Sequence, residues 1–150
     1  MSDGIVIDFT ELDRLAVDLG EVASNAGPFV RSAVEVTARR TRDDWRENLK
    51  GLAHLPALPY AVTYDINTFF GFGNSLIQAE IGPDKERNQG PLGNFTEFGS
   101  VNNPPRGDGH AALQRNEADF QRGLERGLAD AEAAAGFGSI TRGVLAGRRR

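Results

Sequence analysis

The chain has 150 residues, with 17 basic and 21 acidic side chains, a formal net charge of −4 and no cysteine. That length suits one domain burying roughly 70% of its unfolded surface, and the missing cysteines exclude disulfides and thiolate metal sites. The charge argues against a general nucleic-acid binder, which neutralises phosphates with an excess of Lys and Arg. The balance is uneven: residues 1 to 100 hold 15 acids against 9 bases, and residues 101 to 150 hold 6 against 8. No basic segment leads into an apolar run at the N-terminus, and no stretch approaches the ~18 apolar residues of a membrane span. The expectation is a soluble protein made inside the cell, with no membrane partner.

In chain order, Thr10 followed by Asp13 resembles a capping signal, and Leu12, Leu15, Ala16, Leu19, Val22 and Ala23 recur at helical spacing. This predicts a first helix, broken by Gly27 and Pro28, with Pro28 suited to the opening turn of the next. From Phe29 to about Lys50 a stripe of Val30, Val34, Thr37, Thr41, Trp45, Leu49 and Leu52 predicts a long amphipathic helix, with Arg31, Glu35, Arg39, Arg42 and Arg46 on another face. Pro56 and Pro59 end it in a connector. The period then changes to two. Tyr60, Val62, Tyr64 and Ile66 predict one strand, and Ile77, Ala79 and Ile81 an antiparallel partner. Between them lies TFFGFGNS, a hairpin tip whose glycines suit a turn but whose Phe69, Phe70 and Phe72 do not suit water.

After Gly82-Pro83 comes a polar loop and then GPLGNFTEFGSVNNPP, a stretch rich in breakers that nevertheless carries Phe95 and Phe98. One turn of helix would put both rings on one side, where they could plug the edge of a core. A last helix is predicted from about His110 to Ala135, with Leu113, Glu117, Phe120, Leu124, Leu128, Ala131 and Ala135 in register. Gly123 and Gly127 inside it each cost ~1 kcal/mol relative to Ala, so packing must hold it. The fold class is therefore α+β: two N-terminal helices, a small antiparallel sheet built on a β-hairpin, and a C-terminal helix. A single domain covers residues 1–135, and an extended arm covers 136–150.

Residues for catalysis are few. His54 sits in the Pro-rich connector and His110 at a helix start, neither with a second histidine at ligand spacing. The glycines of GFGNSL and GPLGNF match no nucleotide-binding pattern and read as turn residues. Asp43, Asp44 and Glu47 lie among arginines on a helix and read as a charged surface rather than an acid/base site. Arg148, Arg149 and Arg150 could touch DNA, but read first as a solvated tail or a contact to an acidic neighbour. No enzyme activity, cofactor or metal site is predicted. Apolar surface remains without a place in the core: Phe69, Phe70 and Phe72 at the hairpin tip, and Phe137, Ile140, Val144 and Leu145 in the tail. Such groups usually mark subunit contacts, although the hairpin phenylalanines could instead fold back over the sheet.

The order of helices, the hairpin VTYDINT, the segment AEIGPDKERNQGPLGNFTEFGS, a Pro-rich link and a final helix resembles the neck or tail-completion proteins of long-tailed bacteriophages, especially those of actinobacterial hosts. The resemblance is most specific over Val62 to Asn103. It rests on Ile81-Gly82-Pro83-Asp84, on Phe95-Thr96-Glu97-Phe98-Gly99 and on Pro104-Pro105. It departs in the link to the last helix, where Gly107 and Gly109 make the connection looser. The resemblance implies that Gly82, Pro83, Phe95, Glu97, Phe98 and Gly99 are structural anchors. Phe95 and Phe98 would clip the loop to the sheet and last helix, and Glu97 would point outward or cap a neighbouring backbone. It also implies a homo-oligomeric ring, hexameric in this family, at the head-to-tail junction of the virion. The ring would be assembled in the host cytoplasm and contact connector or stopper proteins and tail-terminator or tail-tube proteins, with double-stranded DNA passing through its channel without sequence-specific binding. A tail terminator capping the tube is the nearest alternative. A DNA-binding accessory protein, using the arginine face of the second helix and the terminal Arg148, Arg149 and Arg150, would show steep salt dependence. A small enzyme would depend on His54 or His110.

Overall fold

The computed structural model describes residues 21–71 and 74–134. The fold is α+β: α1 (Glu21–Leu49), a short α2 (Leu58–Ala61), β1 (Val62–Gly71), β2 (Asn74–Pro83), a 3-10 turn (Gly90–Leu92), α3 (Gly93–Phe98) and α4 (Asp108–Ala134). The two strands form one antiparallel hairpin.

Helix α1 is the central element. Most of its predicted stripe is buried: Val30, Val34, Thr37, Thr41, Trp45 and Leu49 are all inaccessible or nearly so, as is Ala38, while Leu52 lies past the helix end and is only partly buried. The hairpin contributes Val62, Ile77, Ala79 and Ile81 to the same core, and the connector contributes Leu58 and Ala61. Full burial of side chains such as Leu49, Leu58 and Ile81 stabilises by about 1.5–3 kcal/mol each. In the hairpin register Tyr64 faces Ile81, Ile66 faces Ala79 and Thr68 faces Ile77, so one pleat face carries the apolar set. The opposite face pairs Asp65 with Glu80 and Phe69 with Leu76.

The hairpin runs back along α1. At its base the Arg46 guanidinium donates to the Val62 carbonyl, and near its tip the Arg31 guanidinium donates to the Thr68 hydroxyl at 2.8 Å. Two independent rulers agree on this alignment. From 46 back to 31 a helix rises about 22 Å, and from 62 to 68 a strand advances about 20 Å.

Helix α4 packs antiparallel to α1, and of its predicted positions Ala131 is fully buried while Leu113, Phe120, Leu124 and Leu128 are only partly so. The buried positions are Gly109, Ala112, Asn116, Gly127 and Ala131, whereas Glu117 is exposed and Phe120 and Leu124 lie only partly buried on the flank. The reason is close approach. A Cβ on Gly127 would meet Phe29 Cβ at 3.2 Å, one on Gly123 would meet Ala33 Cβ at 3.5 Å, and one on Gly109 would meet the Trp45 ring at 2.6 Å. Gly127, which weakens α4 locally, is what lets Phe29 come this close, whereas a Cβ on Gly123 would make only an ordinary contact. Asn116 closes the seam midway, its amide donating to Asp44 at 2.7 Å and to the Ala112 carbonyl at 2.9 Å.

Three further expectations are corrected or limited. The break at Gly27-Pro28 does not occur, because α1 runs through Pro28. Pro28 removes one helical hydrogen bond, but buried Ala26 and half-buried Phe29 on either side of it pack against Ala131 and hold the helix. Tyr60 is not in a strand: it belongs to α2 and is exposed, since Pro59 at the start of that helix fixes a helical turn before the strand begins at Val62. The first predicted helix up to residue 20, Phe72, and the arm with Phe137, Ile140, Val144 and Leu145 lie outside the described residues.

Candidate functional site

The segment from Gly82 to Gly109 is built by side chains that serve as caps. After β2, the buried Pro83 ring lies against Gly93, and the Asp84 carbonyl lies against Gly90, so neither glycine has room for a Cβ. Gln89, in the left-handed region at φ 62°, aims its side-chain oxygen at the start of α2 and accepts from the Ala57 and Leu58 N–H groups at 2.8 and 3.1 Å. Sequence reading did not single it out, because its partners lie more than thirty positions away.

Glu97 is the second cap. It is buried, and its carboxylate accepts from the Gly109 N–H at 2.8 Å and the His110 N–H at 3.0 Å, at the N-terminus of α4. A carboxylate there satisfies two otherwise orphaned donors and lies at the positive end of the helix dipole. Of the two roles anticipated for Glu97, capping a neighbouring backbone is the one observed. The link to α4 is also tighter than expected. Arg106 N–H donates to the Thr96 carbonyl at 2.9 Å, Gly107 N–H to the Glu97 carbonyl at 3.2 Å, and the Arg106 guanidinium to the Asn48 carbonyl at 3.3 Å. Gly99, at φ 81°, is pressed against Asn103 and Pro105, and a two-way bridge between Ser100 and Asn103 closes the turn.

Phe95 and Phe98 are not the anchors they were expected to be. Their helical turn forms, yet they are 55% and 68% exposed. Glu97 occupies the inward position of α3, and residues two before and one after it are carried away from that direction by the helical rotation. Leu92, Phe95 and Phe98, spaced by three along the 3-10 turn and α3, form an outward apolar row, continued by a fully exposed Val101 at the tip of the Ser100–Asn103 turn. That spacing of three is the sequence signal that could have marked the row as a surface.

A second apolar patch lies at the other end of the hairpin. Phe69 is 54% exposed and Phe70 86% exposed, so neither folds back over the sheet. Strands of this length separate tip from base by about 33 Å, so the two patches cannot meet within one copy. Both lie in charge-poor segments. Residues 66–79 contain no charged side chain, and residues 88–105 contain only Glu97, which is buried.

Several titratable groups elsewhere are engaged in structure. Asp43 pairs with Arg42, Asp44 with Arg115, Glu47 with Lys50 and Asp84 with Arg87. His54 is exposed, its carbonyl accepting from Gln89, and the His110 ring lies 3.1 Å from the Gln114 amide. On the arginine face of α1, Arg42 stacks over the Tyr64 ring at 5.1 Å, and Arg46 donates Nε and Nη2 to the Val62 carbonyl at 2.9 and 2.6 Å. Partial burial, and secondarily Arg42, lower the Arg46 pKa from its ordinary value. A cleft of about 540 Å³ between the end of α1 and the connector is lined by Asp43, Glu47, Lys50 and Tyr60 among others, and its acids are already ion-paired. Among the described residues no group of three or more His, Asp or Glu side chains could hold a metal ion, and no helix is long and apolar enough to cross a membrane. No family model, curated protein or solved structure matches the chain significantly.

Proposed function

We propose that this protein is a structural, self-assembling subunit of a long-tailed phage particle, a neck or tail-completion protein forming a ring at the head-to-tail junction. The observation that carries this reading is the pair of unlike, uncharged apolar patches at opposite ends of the hairpin. A surface that is not self-complementary makes head-to-tail contacts, and head-to-tail contacts that close by rotation make rings. Exposed apolar groups depleted of charge are the composition of an interface core. The resemblance over Val62 to Asn103 adds the location, a junction ring through which double-stranded DNA passes. The engagement of Arg42 and Arg46 within the fold favours this reading over a DNA-binding accessory role, because guanidiniums tied to a carbonyl and an aromatic ring are poorly disposed to neutralise phosphates.

The proposal has a direct compositional test. Mass spectrometry of purified particles encoded by the same genome is expected to recover this chain at a few copies per particle, on the order of one ring. Its consistent absence from DNA-filled, infectious particles would remove the virion assignment.

A further inference from the structure

We propose that the hairpin tip of one copy, led by Phe70, seats against the groove formed by Phe98, Val101, Pro104 and Pro105 of a second copy. This contact rests on the self-assembly reading above and specifies which surfaces meet.

The receiving surface is preformed. The turn from Ser100 to Asn103 is bridged in both directions, Ser100 N–H to the Asn103 carbonyl at 2.8 Å and Asn103 N–H to the Ser100 carbonyl at 3.2 Å. Gly99 is wedged against Pro105, and the following residues are pinned to α3 by backbone hydrogen bonds. A turn needs polar or small residues for its geometry, so a fully exposed valine at its tip has no local explanation. Binding to such a rigid surface orders few side chains, which keeps the entropic cost of association low.

The donor surface matches it in charge and size. Near its end β1 carries Phe69 and Phe70 on opposite faces of the hairpin, so Phe70 alone leads the contact, and neither segment presents a charged group that the contact would desolvate unpaired. Taking roughly 200 Å² for a whole phenylalanine, Phe70 offers on the order of 170 Å² of apolar area, and Phe98 with Val101 on the order of 300 Å². Their sum falls below the ~1,200 Å² of an ordinary stable interface. One such contact does not hold a dimer, and each copy becomes stable only when it makes two, one at each end, as ring closure provides.

The absence of cysteine makes the test clean. Phe70→Cys and Val101→Cys are prepared separately, mixed at high concentration and mildly oxidised. The mixed disulfide is expected to form roughly tenfold or more faster than that between Phe70→Cys and Ala53→Cys, an exposed control outside the groove. The double variant Phe70→Cys/Val101→Cys is expected to give a ladder of linked copies rather than dimers alone. Both positions are exposed, so folding is not at stake. Oligomers seen by sedimentation without a mixed disulfide above the control rate would overturn this contact while leaving a ring built by another pairing. Disulfides formed faster within Phe70→Cys alone than in the mixture would also overturn it, by showing a two-fold contact. Neither disulfide nor oligomer would overturn it as well, and the ring reading would then stand on the particle tests.

Discussion

Glu97→Ala is expected to destabilise the fold by roughly 3 kcal/mol, measured by denaturant unfolding with an unchanged m-value. The substitution leaves the buried Gly109 N–H and the part-buried His110 N–H without their acceptor. Each unsatisfied buried donor costs ~1–3 kcal/mol, and a helix N-cap typically ~1. Glu97→Gln separates charge from geometry. It keeps one acceptor oxygen and loses the interaction of a full negative charge with the helix dipole, so about half the loss is expected. A Glu97→Ala protein as stable as the parent would mean that α4 does not depend on this cap. It would also weaken the view that the loop from Gly82 to Gly109 is a rigid platform.

Gly90→Ala is expected to be more damaging, on the order of 4 kcal/mol, among the largest losses seen for single substitutions. The added methyl would overlap the Asp84 carbonyl, which is backbone and cannot rotate aside. Relief requires moving the turn at Asp84, which is held by the Asp84 N–H donation to the Ala61 carbonyl at 2.8 Å and by the Arg87 N–H donation to the Asp84 carbonyl at 3.1 Å. Gly27→Ala serves as the control, since nothing lies within 4 Å of its Cβ position and helix propensity favours Ala by ~1 kcal/mol. A thermal scan of the two variants should therefore move in opposite directions. Equal and small shifts would show that the Asp84–Gly90 turn is not packed as described.

Much of the fold was legible because periodicity reports burial directly. Val34, Thr41, Trp45 and Leu49 recur at helical spacing, and Tyr64, Ile66, Ala79 and Ile81 alternate; the structure turns these positions to one core. What failed was governed by other physics. In α4 the eye follows Leu113, Leu124 and Leu128, but the seam belongs to Gly109, Ala112 and Gly127, since the closeness of two backbones depends on what is missing from a side chain. Pro28 reads as a stop, yet contacts to Ala131, a hundred positions away, outweigh its local cost. The candidate surface was half visible. Phe69 and Phe70 stand out next to a turn where apolar residues have no local purpose, and they are exposed. Phe95 and Phe98 read as inward-facing in the sequence because aromatic residues near a core usually fill it. The position facing inward went to Glu97, whose value comes from two amides twelve and thirteen residues later.

The proposed role, a structural subunit joining head to tail, is tested most directly by placing an early stop codon in this gene within the genome that encodes it and examining the products by electron microscopy. DNA-filled heads lying apart from tails of normal length are the predicted result. Overlong tails would reassign the ring to the tail terminator, and intact infectious particles would contradict the virion role altogether.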